Sequence, residues 1–327
     1  MFAEHGLRLV ARMVCWIGFA MSLVAIVTLP RSYQGLVYGV SRPVQRAAYG
    51  HARPYGPLVD PSDTACWLVM AIALGAGYLA MRTEERPARA GAGDTRAIWI
   101  AGAIATMFVA LLASLSRSGA VGFLTAFLFG AGATASRAGR RGRLLLLAAG
   151  GVALTIAILI PRTDALASKF DSTRLNWSGG RLVIWQETLP IIRKFWVVGV
   201  GAGAYPYAME VYQQSHLQNH FDEAHNQLLQ IVTEGGLLAA VPAGLALVLI
   251  GVGAIRRLRS DRSPIYWIRL GAVAGLTGVL VQVLWTSSLA RPANAMLAVM
   301  LSALAIHDRP RDRETAHPSP GRRTDDR

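Results

Sequence analysis

The sequence predicts an all-α polytopic integral membrane protein, with about eight transmembrane helices and one large extracytoplasmic loop containing short interfacial helices. Three observations carry this expectation. The 327 residues are 53% hydrophobic and only 16% charged, whereas soluble domains average about 25% charged. The apolar residues gather into runs of roughly membrane-spanning length, near 10–29, 65–81, 97–115, 119–135, 144–160, 227–255, 267–289 and 292–306. The net charge of +14, from 33 Lys and Arg against 19 Asp and Glu, is sorted by side rather than spread evenly. These features exclude a cytosolic enzyme, a disordered polymer and a small disulfide scaffold.

Taken in order, the first run follows Arg8 and Arg12. It is longer than a signal-peptide apolar region, and no clean small-x-small cleavage site follows at Thr28–Pro30, so it is expected to stay as a helix. Arg82, Arg86, Arg89 and Arg96 separate the second and third runs, in the solvated connector 82–96. Arg137, Arg140, Arg141 and Arg143 separate the fourth and fifth; the fourth and the last runs are the shortest. Arg256, Arg257, Arg259, Arg262 and Arg269 lie between or just inside the sixth and seventh, and six more arginines follow from Arg309 to Arg327. Together, 21 basic residues fall on one side and 12 on the other. The positive-inside rule then places both termini in the cytoplasm and segments 30–64 and 161–226 outside. The basic charge is therefore a topology signal, and no nucleic-acid role is expected. Cys15 and Cys66 fall toward opposite membrane faces and read as small buried hydrophobes rather than a disulfide. The membrane domain is expected over 1–306. The Pro-, Arg- and Asp-rich tail 307–327 is expected to be disordered and cytoplasmic. No internal repeat is visible, which argues against many transporter architectures.

The chemistry is expected in the long outer loop and the helix ends that face it. The loop's charges balance, with Arg162, Lys169, Arg174, Arg181, Arg193 and Lys194 against Asp164, Asp171, Glu187, Glu210, Asp222 and Glu223. An anion site must therefore come from particular arginines. Leu182, Trp185, Leu189 and Ile192 recur at helical spacing and predict an interfacial helix over 181–195, kinked at Pro190. Arg181 falls in its first turn, after Ser178-Gly179-Gly180, where a helix N-terminus favours phosphate. Gly199-Val200-Gly201-Ala202-Gly203 lacks the ending of a phosphate loop and reads as a turn with close backbone packing. His216, His220, Asp222, Glu223 and His225 admit a zinc site, a lone general base at His225, or a merely structural histidine. Arg117, in Ser116-Arg117-Ser118-Gly119, interrupts an apolar stretch where an arginine is costly. It is either a hairpin tip reaching water or a cation at the outer face for a lipid-linked anion.

Taken together, these motifs resemble the O-antigen ligase-like family of ligases, polysaccharide polymerases and protein O-oligosaccharyltransferases. Ser116-Arg117-Ser118-Gly119 is similar to that family's Ser-Arg element. Gly180-Arg181-Leu182-x-x-Trp185, then Gly199-x-Gly201-x-Gly203-x-Tyr205, is similar to its Gly-Arg and Gly-x-Gly-x-Gly stretch. His225-Asn226, followed after nine residues by Gly236-x-x-Ala239, is similar to the ligase signature. The chain departs from the pattern at Ala239 and at Val59-Asp60-Pro61-Ser62-Asp63, and it has fewer apolar runs than the ten to twelve helices usual in the family. That shortfall implies a short form or a truncated start.

The resemblance implies transfer of a glycan from an undecaprenyl-pyrophosphate donor to an acceptor hydroxyl on lipid A-core, a growing polysaccharide or a protein. It implies Arg117 and Arg181 as the pyrophosphate clamp and His225 as the base, with Asn226 and Arg174 as further substrate-binding residues. An inverting, metal-independent reaction without cofactors is expected. Glu234 is expected to pair with an arginine, and Asp222 or Glu223 to raise the His225 pKa. The alternatives are a non-catalytic scaffold of envelope polysaccharide assembly and a polysaccharide or lipid transporter.

Overall fold

The computed structural model describes residues 2–32, 37, 54–85, 95–135, 181–214 and 221–308. Among these residues the regular structure is helical: α1 (Phe2–Ser32), α2 (Pro61–Glu85), α3 (Thr95–Ala113), α4 (Arg117–Ala135), α5 (Arg181–Lys194), α6 (Tyr205–Tyr212), α7 (Gln227–Ser260), α8 (Tyr266–Gln282) and α9 (Pro292–Ile306). A single 3-10 turn, Ser288–Ala290, precedes α9. Five of these helices, α1 to α4 and α7, are long and apolar enough to cross a membrane, and α9 is a shorter apolar helix. The run at 144–160 lies outside the described residues.

The hub is α2, against which α1, α3, α4, α8 and α9 all pack. Small residues permit this crowding. A Cβ on Gly77 would lie 2.2 Å from the Trp267 carbonyl oxygen, and one on Gly271 would lie 2.4 Å from that of Ala73. The α2 and α8 backbones therefore touch, as small-residue helix pairs in membranes do. Cys15 and Cys66 are both buried and unbridged. In contrast, α7 turns Leu238, Val241, Leu245, Val248 and Leu249 outward, as a helix solvated by lipid requires.

Ion pairs staple one end of the bundle. Arg8 on α1 donates to both oxygens of Glu85 at the end of α2, at 3.1 and 2.6 Å. Arg269, only 5% exposed, pairs with Asp261 and donates to the His307 carbonyl at 2.9 Å. Burial alone would raise the Asp261 pKa, but bonds from the Ser263 hydroxyl and amide, with Arg269 beside them, bring it below its ordinary value. Arg257 holds Asp308. His307 and Asp308 are thus tied to the bundle although the sequence assigns them to the disordered tail; 309–327 lie outside the described residues. Helices α2, α4, α7 and α9 run away from the opposite end, which gathers their N-termini.

Two helices depart from the sequence expectation. The run 267–289 is not one helix, because α8 stops at Gln282. The Gln282 side chain donates to the Ser62 carbonyl at 3.0 Å. The buried Thr286, Ser287 and Ser288 that follow form a polar turn, where hydroxyls compete with the helical backbone.

Helix α7 is broken at Gly236, with φ 56° and ψ −158°. The carbonyls of Thr233 and Glu234 accept from Val200 and Gly201 at 2.9 Å each. The amides of Leu237 and Leu238 donate to Trp196 and Val197 at 2.9 and 3.0 Å. A loop has replaced the missing helical partners, which keeps the backbone satisfied where water is scarce. A Cβ on Gly236 would lie 2.3 Å from the Val197 oxygen, and one on Gly199 (φ 70°) would lie 2.3 Å from the Glu234 oxygen. Close backbone packing, the sequence reading of the glycine run, holds at Gly199; Gly201 and Gly203 serve instead as positive-φ turn residues with room around them. Gly236→Ala should lower the melting temperature of the detergent-solubilised protein, because the backbone strain alone costs on the order of 1–3 kcal/mol before the clash is counted. An unchanged melting temperature would show that the break is dispensable.

Candidate functional site

The residues singled out from the sequence sit at helix starts, and each start has a local cause. Tyr55 is buried and donates its hydroxyl to the Ala110 carbonyl at 2.6 Å, while Thr64 donates to the Tyr55 carbonyl at 2.9 Å. This fold of segment 54–60 delivers Asp60 to the N-cap of α2. Its Oδ1 accepts from the amides of Ser62 and Asp63 at 2.7 and 3.1 Å, ahead of a proline at the first helical position.

Ser116 caps α4 in the same way, its hydroxyl accepting from the Gly119 amide at 3.2 Å and contacting the hydroxyls of Ser62 and Ser118. Arg117 is therefore the first residue of α4, exposed at the tip of the α3–α4 hairpin. A Cβ on Gly119 would lie 2.5 Å from that of Ala65, so the Ser-Arg-Ser-Gly element seats α4 against the first turn of α2.

A small second core supports the other half of the site. Ile191, Tyr205, Met209 and Ala224 are fully buried together. Thr188 and the Tyr205 hydroxyl share a 2.8 Å hydrogen bond, and burial pushes the Tyr205 phenol up to about 12. On α5, Ile184, Thr188 and Ile191 face this core, while Leu182 and Leu189 remain outside at 54% and 44% exposure. Leu182 and Leu189 thus lie on the outward side of α5.

Trp185 donates its indole N–H to the Ala224 carbonyl at 2.9 Å, and the Ala224 amide donates to the Gln230 side chain at 2.9 Å. Both backbone groups before His225 are thus held, and His225 itself takes the left-handed conformation at φ 48°. Such strain in a bulky residue persists only where the surroundings enforce it. Glu234 accepts from Gln230 at 2.7 Å, so it steadies this chain of bonds; among the described residues no arginine forms an ion pair with it.

Electrostatics show what shares the site. The Arg181 pKa is lowered by burial and by Arg117, against a rise from Asp60. The His225 pKa is lowered by burial, Arg181 and Arg291, against rises from Asp60 and Asp222. The expectation that neighbouring carboxylates would raise it is corrected, because desolvation and two arginines outweigh them. His225 keeps an exposed edge although protein surrounds much of the ring. The lowered pKa favours its neutral form, and a substrate can reach it. Glu223 is raised by burial and by Asp63, Asp60 and Asp222, with Arg291 opposing.

Arg181 is therefore coupled electrostatically both to Arg117 and to His225, which come from separate stretches of sequence, whereas Arg117 is not among the charges acting on His225. Asn226 has a different task. Its side-chain oxygen caps α7, accepting from the amides of Leu228 and Leu229 at 2.9 and 3.1 Å, so only its amide N–H groups remain for a ligand. Arg174, His216 and His220 lie outside the described residues. Among the described residues no cluster of three or more potential metal ligands occurs.

Sequence reasoning missed Asp60, Asp63 and Arg291. The first two could have been found as a helix-start signature, an Asp ahead of Pro at the outer end of an apolar run. Arg291 was legible as a cation between the last two apolar runs, just before Pro292.

No curated protein matches the chain. Residues 102–243, which carry Arg117, Arg181, His225 and the Gly236 break, match the family described as O-antigen ligase. With its apolar helices, this is a multi-pass membrane protein, and over residues 102–243 it is similar to the O-antigen ligase family.

Proposed function

We propose that this protein transfers a glycan from an undecaprenyl-pyrophosphate carrier to an acceptor hydroxyl at the outer face of the bacterial inner membrane. The reading is supported by the electrostatic coupling of Arg181 to both Arg117 and His225, whose pKa is lowered. Two arginines held close enough to repel each other are stabilised by an anion that bridges them. Arg117 opens α4 and Arg181 opens α5, so both helix dipoles favour that anion as well.

In the proposed reaction the acceptor hydroxyl attacks the anomeric carbon as the carbon–oxygen bond to the pyrophosphate breaks. His225 takes the hydroxyl proton, and the departing undecaprenyl pyrophosphate keeps the electron pair and leaves with its charge held by the two arginines. A single displacement inverts the anomeric centre. The pyrophosphate is already a good leaving group, so the step is written without a metal. The acceptor is lipid A-core, a growing polysaccharide or a protein. The substrate-contacting roles of Asn226, through its amide N–H groups, and of Arg174 belong to the same proposal.

The test is reconstitution of the purified protein in lipid with an undecaprenyl-pyrophosphate glycan and each acceptor class, following glycan transfer. Binding of the donor without transfer to any acceptor would favour the scaffold reading. The proposed orientation puts α5 outside and the α7–α8 turn in the cytoplasm. In spheroplasts an impermeant maleimide should label Gln186→Cys and spare Ser260→Cys. Labelling at 260 alone would invert the topology.

A further inference from the structure

We infer that Arg291 is a positioning residue of this site: it clamps Asp63 on α2 to Glu223 in the loop that carries His225, and so fixes where the imidazole meets the acceptor. The inference rests on the proposed glycosyl transfer. Arg291 Nε donates to Asp63 Oδ2 at 2.8 Å, and its Nη2 donates to Glu223 Oε1 at 2.8 Å. One guanidinium thereby joins three pieces of chain that are distant in sequence: the first turn of α2, the His225 loop and the start of α9.

The platform beneath the clamp is rigid. The Asp63 side chain is 8% exposed, and Asn294, fully buried in the first turn of α9, donates to the carbonyls of Asp63 and Ser288 at 3.2 and 3.0 Å. Glu223 lies two residues before His225, and Trp185 and Gln230 hold Ala224 between them. The loop is therefore fixed on both sides of the backbone, and Arg291 ties it to Asp63 of α2. An arginine suits this task because its planar fork can serve two carboxylates at once, whereas a lysine ammonium is a point charge.

The clamp also has an electrostatic consequence. The charged groups facing His225 are Arg181 on α5, Asp60 at the cap of α2, Arg291 at the start of α9 and Asp222 in its own loop. Removing Arg291 deletes one of the two cations and leaves both carboxylates. The imidazole should then hold its proton to higher pH.

The test is the pH dependence of kcat/KM in the reconstituted reaction. In Arg291→Gln the ascending limb should move to higher pH, so the loss is greater below the limb than above it. The donor KM should stay within about twofold of the parent, because Arg117 and Arg181 remain. Glu223→Gln should lower kcat without moving the limb. The double variant should lose no more than Arg291→Gln alone, because the two residues act through one contact. Should Arg291→Gln fail to accumulate, Arg291→Lys keeps the cation but can hold only one carboxylate, so its limb should stay and its kcat should fall.

An unmoved limb in Arg291→Gln, multiplying losses in the double variant, or full kcat in Arg291→Lys would overturn the inference. A raised donor KM with unchanged kcat would do so too, by making Arg291 a substrate ligand. If His225→Ala kept full activity, the glycosyl-transfer reading itself would fail, whatever Arg291 did.

Discussion

Replacing His225 by Ala should lower turnover about 10²- to 10⁴-fold, the usual worth of acid–base catalysis, while binding of the lipid donor stays near the parent value. The separation follows from the geometry. The cations assigned to the pyrophosphate come from the starts of α4 and α5, and His225 comes from the loop before α7, held by Trp185 and Gln230. Deleting the imidazole leaves those anchors in place.

The pH profile sharpens the same prediction. Only neutral imidazole accepts a proton, so kcat/KM rises as His225 deprotonates and levels off above its pKa. Burial, Arg181 and Arg291 move that pKa below the ordinary 6.5, so the rise should be centred below 6.5. A rise centred above 6.5 would mean that the carboxylates Asp60 and Asp222 outweigh the arginines during turnover. Activity in His225→Ala with the parent profile would remove the histidine from the chemistry.

The parts of this molecule written as apolar runs were legible in the sequence; those written as contacts between segments were not. The runs that became α1 to α4 announce themselves through continuous hydropathy, which the bilayer demands of any spanning helix. Continuous hydropathy says nothing of where a helix breaks. Gly236 stands inside the apolar run 227–255, and only the loop 196–201 shows how the hydrogen bonds left open by the break are met.

The same limit applies at the site. Arg117 and Arg181 stand out locally, one as a charge in an apolar stretch and the other at the first turn of an amphipathic helix. Asp60 and Arg291 gain their meaning from neighbours far away in sequence: Asp60 through Arg181 and His225, Arg291 through Asp63 and Glu223. The His225 pKa was misjudged for a related reason, since adjacent Asp222 and Glu223 are visible in sequence and the two more distant arginines are not.

Arg181→Lys should lower kcat/KM by about 10- to 100-fold, although the charge is nominally kept. A charge-assisted hydrogen bond is worth about 1.5–3 kcal/mol, and the lysine forfeits at least one, because an ammonium cannot present the parallel pair of N–H groups that grips two phosphate oxygens. The surroundings deepen the loss. Burial and Arg117 already work against the cation at position 181, with Asp60 the opposing influence. A guanidinium tolerates that pressure because its ordinary pKa is so high, whereas a lysine placed there is far more readily neutralised.

The defect should therefore grow as pH rises above 8, where the parent enzyme is flat. Arg117→Lys lies on the exposed tip of the α3–α4 hairpin and should show a smaller loss without that pH dependence. Steady-state transfer rates of the two variants between pH 6 and 9, with membrane accumulation as the folding control, decide the matter. Parent-level activity in both variants would show that two point charges suffice and that no bidentate grip on the pyrophosphate contributes to the rate.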